Sequence, residues 1–174
     1  MIKRLLVAVP LFIAGGIVVC LIVLMLTGRQ TVWHTFFGEA DLGPAHFQTL
    51  VRSSAPNHYL VCPDGYCTGT IPDAVSRTYP MAREDLLAQF AEIVGERKNT
   101  RIIPDAAPDD VRFVERTPFL QFPDTVSIKV IDAGENASQV AIFSRSQIGR
   151  SDFGVNQRRV ETLLAELQNR VDRQ

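Results

Sequence analysis

The sequence predicts an α+β domain: a mostly antiparallel sheet with two amphipathic helices on one face, preceded by one N-terminal transmembrane helix. Three observations predict it. An uncharged run of 22 residues, Leu5 to Leu26, opens the chain. Strand-like segments follow one another directly, which favours antiparallel pairing over alternating strand–helix–strand crossovers. Two further stretches, one central and one C-terminal, place apolar residues at helical spacing.

The apolar run comes first. At about 1.5 Å per residue, a helix of this length reaches roughly 33 Å, enough to cross a bilayer core. Lys3 and Arg4 precede it, whereas Arg29 is soon followed by Glu39 and Asp41. Basic residues stay on the cytoplasmic side, so the expected order is a cytoplasmic 1–4, an anchor at 5–26 and an outer region from 27 onward. In a bacterium this is an inner-membrane protein with its domain in the periplasm, touching lipid through 5–26 and offering itself to other membrane proteins. A cleaved signal peptide fits less well, because its apolar core is shorter and ends in a small-x-small site. Lipid attachment at Cys20 would call for a small preceding residue, and Val19 stands there. Ala14-Gly15-Gly16 would permit close helix approach, and Pro10 would weaken one turn without preventing insertion.

The outer region holds 15 basic against 19 acidic residues, near −4. Nucleic acid is thereby an unsuitable partner. Residues 27–57, with Gly28, Gly38, Gly43, Pro44 and Pro56, read as a connector. Val32, Trp33, Phe36 and Phe37 form an aromatic cluster suited to the membrane interface. The globular domain is expected over 58–174.

Within it, His58 to Cys62 reads as a short strand, Pro63-Asp64-Gly65 as a turn and 68–80 as irregular. A helix over about Ala82 to Val94 presents Leu86, Leu87, Phe90, Ile93 and Val94 on one face, with Gly95 as its C-terminal stop. Strands are expected at Val111–Leu120, Thr125–Asp132 and Gln139–Arg145. Val126, Ile128 and Val130 alternate with polar residues, and a loop over Asp132–Ser138 makes the last two strands a hairpin. The closing helix, about Asn156 to Asp172, carries Val160, Leu163, Leu164, Leu167 and Val171.

Cys62 and Cys67 flank a tight turn. Outside the cytoplasm this spacing favours a structural disulfide, contributing roughly 2 kcal/mol. Its rivals are a metal site with His58 and a redox pair; the former has three ligands at a spacing unlike standard zinc sites, and the latter lacks two-residue spacing. No metal or cofactor is expected.

Residues 144–160 concentrate Arg145, Arg150, Arg158 and Arg159 around one acid, Asp152, a net +3 inside an acidic domain. Gly149 and Gly154 allow sharp turns, and Asn156 is a natural N-cap. A helix N-terminus with arginines is a reasonable site for a phosphate, a carboxylate or a lipid headgroup. The same residues also suit a structural turn, in which Asp152 accepts backbone N–H groups and pairs with Arg145 or Arg150 while Arg158 and Arg159 are solvated. A hydrolase sketch using Asp152 with Ser144, Ser146 or Ser151 lacks an activating base, and no nucleophile-elbow, zinc-protease or phosphate-loop motif occurs. A non-enzymatic binding or scaffolding module, or an accessory subunit of a membrane complex, is the preferred expectation.

Ser144-Arg145-Ser146-x-x-Gly149-x-Ser151-Asp152-x-Gly154-Val155-Asn156-x-x-Arg159-Val160 resembles the C-terminal signature of a bacterial and plastid family catalogued as domain of unknown function number fourteen ninety-nine. Arg116-Thr117-Pro118, Phe122-Pro123-Asp124 and Pro56-Asn57 resemble its earlier segments, and the resemblance covers about residues 37–168. Many relatives carry a cysteine directly after Pro-Asn, where this chain has His58. The resemblance implies an extracytoplasmic, often membrane-attached domain and lends no activity.

Overall fold

The computed structural model describes residues 2–104 and 110–173 and divides them between two compact units, Met1–Glu39 and Ala40–Gln174. In the first, helix α1 (Ile2–Thr27) contains Pro10 without being interrupted, and Gly28 (φ 77°) separates it from α2 (Arg29–Phe37). The expected span 5–26 falls inside α1. Among the described residues no helix is long and apolar enough to cross a membrane; the side chains of residues 2–9, 11, 24, 27 and 29 lie outside that description. Part of the expected connector is therefore helical. Its four-residue spacing stacks Trp33 on Phe37 at 4.6 Å between ring centroids, a pairing that supports short helices.

The second unit is an α+β domain on a mixed six-stranded sheet. Its elements are β1 (His58–Cys62), β2 (Ala74–Val75), α3 (Arg83–Glu96), β3 (Thr100–Ile103), β4 (Asp110–Arg116), β5 (Pro123–Gly134), β6 (Ala137–Ser146) and α4 (Val155–Val171). Strand order is β2-β1-β6-β5-β4-β3. Only β1–β2 is parallel; every other pair is antiparallel.

Strand alternation sends one set of side chains to each face. Val61, Val111, Phe113, Val126, Ile128, Val130, Val140 and Ile142 pack with Leu86, Phe90, Ile93 and Val94 of α3 and Val160, Leu163 and Leu167 of α4. This is the main core, and both helices cover one face as expected. On the opposite face Leu60, Cys62, Ala141 and Phe143 meet Ala45, Phe47, Leu50 and Cys67. Residues 40–50 of the expected connector are thus an arm laid across the sheet. Polar ties hold it: Arg145 donates to the carbonyls of Leu42 and Gly43 (2.9 and 2.8 Å), Arg112 pairs with Asp41 (3.3 Å), and Arg52 grips Asp73 (2.7 and 3.0 Å).

Several boundaries differ from expectation. Helix α3 continues through Gly95, and the left-handed residue that turns the chain out is Asn99 (φ 59°). Strand β4 stops at Arg116 rather than Leu120, because Pro118 has no N–H to give the ladder and Gln121 turns left-handed (φ 60°). The hairpin turn is tighter than a 132–138 loop: β5 runs to Gly134 and β6 starts at Ala137, leaving Glu135 and Asn136 (φ 50°). Two short strands, β2 and β3, were not expected; β2 lies in the stretch read as irregular.

Candidate functional site

At one end of the sheet, two loops stand side by side under the start of α4: residues 117–122 between β4 and β5, and 147–154 between β6 and α4. The side chains beneath them form a buried polar network. At its centre is Arg159, only 4 % exposed. It donates to Glu115 Oε1 (2.9 Å), Asp124 Oδ2 (2.6 Å), Ser144 Oγ (3.0 Å) and Asn156 Oδ1 (2.8 Å). The other oxygen of Glu115 accepts from Arg97 (3.0 Å), which also reaches Glu166. Ser144 donates to Asn156 Oδ1 at 2.5 Å. Asn156 Nδ2 faces the carbonyl of Asn57, Ser146 Oγ and Asp152 Oδ2 (3.0, 3.0 and 2.7 Å). Asn57 in turn donates from Nδ2 to the Gly149 carbonyl (2.7 Å) and accepts the Ser146 N–H (2.9 Å), pinning the second loop to β1.

Asn156 is therefore not the N-cap. Gly154 occupies that position in the left-handed region (φ 75°), and Asn156 is the second helical residue, fully buried. The capping acceptor is Asp152: Oδ1 takes the Gly154 N–H (3.0 Å) and Oδ2 the Asn156 N–H (2.8 Å). An acid at this place satisfies N–H groups that the first helical turn leaves open and complements its positive end. Burial pushes the Asp152 carboxyl up, but the N–H bonds from Asn156 and Gly154 outweigh it and hold it below the ordinary value. Asp124 goes the other way. Burial raises it more than Arg159 and Ser146 lower it. Glu115 is also pushed up by burial, yet Arg159 and Arg97 together bring it below its usual range.

The residues of 144–160 do not gather into one cluster. Arg145 lies on the opposite sheet face holding the arm, with its guanidinium 5.4 Å from the Phe143 ring centre. Arg150 is exposed in the loop, Arg158 is exposed with Nη1 on the Phe153 carbonyl (3.1 Å), and Arg159 is buried rather than solvated. Cys62 and Cys67 form the disulfide, their Cα atoms 6.2 Å apart, inside the core of the second face. His58 stands at the start of β1, with Nε2 donating to the Ser53 carbonyl (3.2 Å).

Above the network lies a cavity of about 320 Å³, lined by Thr117, Phe122, Asp124, Ser146, Ile148, Gly149, Ser151, Asp152, Phe153 and Val155. Its size falls at the lower end of small-molecule sites. The 147–154 loop was legible in the sequence, and Asp124 stood in a family-like segment, but the cavity, Glu115, Arg97 and the pairing of Asp124 with Arg159 were not. A usable signal was Asp124, an acid placed where strand alternation buries its side chain.

No curated protein and no solved structure is significantly similar to the chain. A family profile matches residues 48–167, a span that contains every residue of the network and the lining of the cavity. The chain belongs to the family described as "Protein of unknown function (DUF1499)".

Proposed function

We propose that this chain is a single-pass, membrane-anchored module with its N-terminus inside and its domain in the bacterial periplasm. It binds or scaffolds rather than catalyses, as an accessory subunit of a membrane complex. The observation that carries this reading is the internal use of the signature. Asp152, Asn156 and Arg159 bond to one another, to backbone or to neighbouring buried groups, and so shape a loop over a cavity. Of the serines a hydrolase would recruit, Ser144 donates to Asn156, Ser146 bonds Asp124, and Ser151 accepts the Phe153 N–H. The carboxylate that Ser146 meets, Asp124, is ion-paired with buried Arg159 at 2.6 Å, which works against its acting as the base that a serine nucleophile needs. An anion site that gathers Arg145 and Arg159 is supported less well, because the two are occupied at separate places.

The anchor itself is supported by the 26-residue helix α1, about 39 Å long, and by the aromatic residues of α2 that follow it. A disulfide fits an oxidising compartment. Co-purification in mild detergent tests the function. The intact chain is expected to bring a defined set of membrane proteins that a chain lacking residues 1–29 loses. Recovery of the intact chain with none would overturn the subunit reading.

A further inference from the structure

Two loops present large apolar side chains to solvent around the cavity. Phe153 is 88 % exposed and Phe119 79 % exposed, with Leu120 beside the latter. Phe153 is held in the left-handed region (φ 52°), where aromatic residues seldom sit, immediately before left-handed Gly154. Its backbone is held there by others: the Phe153 N–H donates to Ser151 Oγ (3.3 Å) and its carbonyl accepts from Arg158. Strain of this kind persists where surrounding structure enforces it, and here its result is an aromatic ring displayed at a cavity mouth.

The cavity walls are mostly carbon: Phe122, Ile148, Phe153 and Val155. The polar atoms in its floor are turned inward. Asp152 is taken up by the N–H groups of Gly154 and Asn156, and Asp124 by Arg159 and Ser146. A peptide would leave its own backbone groups facing a wall with few free partners. A hydrocarbon chain loses nothing there. The volume is that of about ten water-sized groups at roughly 30 Å³ each, room for a short hydrocarbon segment. The rim supplies the complementary charge, since Arg150 is exposed between the lining residues Gly149 and Ser151, and Arg158 is exposed one helical turn on. Basic residues beside exposed aromatics match an anionic headgroup with its acyl chain below.

We infer that the cavity between the 117–122 and 147–154 loops binds one acyl chain of an anionic membrane phospholipid, with Phe119, Leu120 and Phe153 as its apolar lip and Arg150 and Arg158 at the headgroup. This assignment rests on the membrane-anchored reading and names the ligand of that module.

The test uses the full chain in vesicles of phosphatidylethanolamine and phosphatidylglycerol. The probe is phosphatidylglycerol carrying a photoactivatable diazirine in one acyl chain, with adducts mapped by mass spectrometry. Adducts are expected in peptides covering 117–122 and 147–155 as well as in α1. Phe153→Asn, which keeps a residue tolerant of the left-handed region, should cut the loop adducts about tenfold and leave those in α1 unchanged. Because Phe153 is exposed and Asn tolerates the left-handed region, the melting point of the variant should not fall below the wild-type value, and Phe119→Ser gives an independent second reading. Adducts confined to α1 would overturn the lipid site while leaving the anchor standing. Loss of α1 adducts too would count against the anchor and, with it, this site. Adducts confined to α1 together with loss of co-purifying proteins in Phe153→Asn would assign the lip to a protein partner and overturn the proposal.

Discussion

Replacing Arg159 by methionine tests the network at its centre. The guanidinium makes four hydrogen bonds of 2.6–3.0 Å, two of them to carboxylates, and its side chain is 3 % exposed. Methionine fills much of the volume but leaves Asp124, itself 3 % exposed, without its charge partner. Glu115 keeps Arg97. Breaking a buried pair by removing one partner costs about 3–5 kcal/mol, most of it from the charge left behind. For a domain of this size that lowers the melting point by roughly 10 °C. Relief should come from removing the orphan. In the Asp124→Asn/Arg159→Met double variant the loss should fall short of the two single losses added, by about 0.5–3 kcal/mol. Urea unfolding of the four proteins at neutral pH supplies the cycle. A single loss below about 1 kcal/mol, with an additive cycle, would refute a stability role for Arg159.

The remaining expectations are narrower. Asp152→Ala should cost about 0.5–2 kcal/mol through the lost cap. Because the Asp152 carboxyl is depressed in the folded state, the stability it contributes is complete above the ordinary aspartate range and is lost as pH falls through its folded value. The variant should therefore show a flatter acid limb in melting point against pH, and an unchanged limb would contradict the assignment. Glu115 acts with the same sign, whereas raised Asp124 acts with the opposite one. Cys62→Ser should lower the urea midpoint by an amount worth roughly 2 kcal/mol, and reductant should lower the wild type but not the variant. Gly69→Ala should destabilise by about 1–3 kcal/mol, because a Cβ there would lie 2.7 Å from the Leu50 carbonyl oxygen; an unchanged melting point would show that the arm can shift.

Much of this fold was legible because its periodicities are strong. Leu86, Phe90, Ile93 and Val94 mark α3, and Val160, Leu163 and Leu167 mark α4, since single stripes must face a core. Strand β1 matched its expected bounds, with Pro63-Asp64-Gly65 closing it and Gly65 at φ 70°. Two edge strands escaped. Ala74–Val75 is too short to show alternation, and Thr100–Ile103 carries no alternating pattern because only Ile103 is buried. The arm escaped for another reason: Ala45, Phe47 and Leu50 follow no period, being placed by contacts with a sheet far along the chain.

The site was legible as a location but not as an arrangement. Four arginines close in sequence suggested one positive cluster, yet the pleat sends Arg145 to one face, and the helix turns Arg158 outward and Arg159 inward. Asp152 could be read as a backbone acceptor from its place before a helix. The Glu115, Asp124 and Arg159 triangle could not, because its members come from three elements that only the tertiary fold brings together.

The proposed placement of the domain outside the cytoplasm, held there by α1, can be read by adding protease to intact spheroplasts that carry the full chain. The prediction is loss of residues 30–174 with a short N-terminal fragment left in the membrane. Full-length chain surviving there, and cleaved only after lysis, would contradict it.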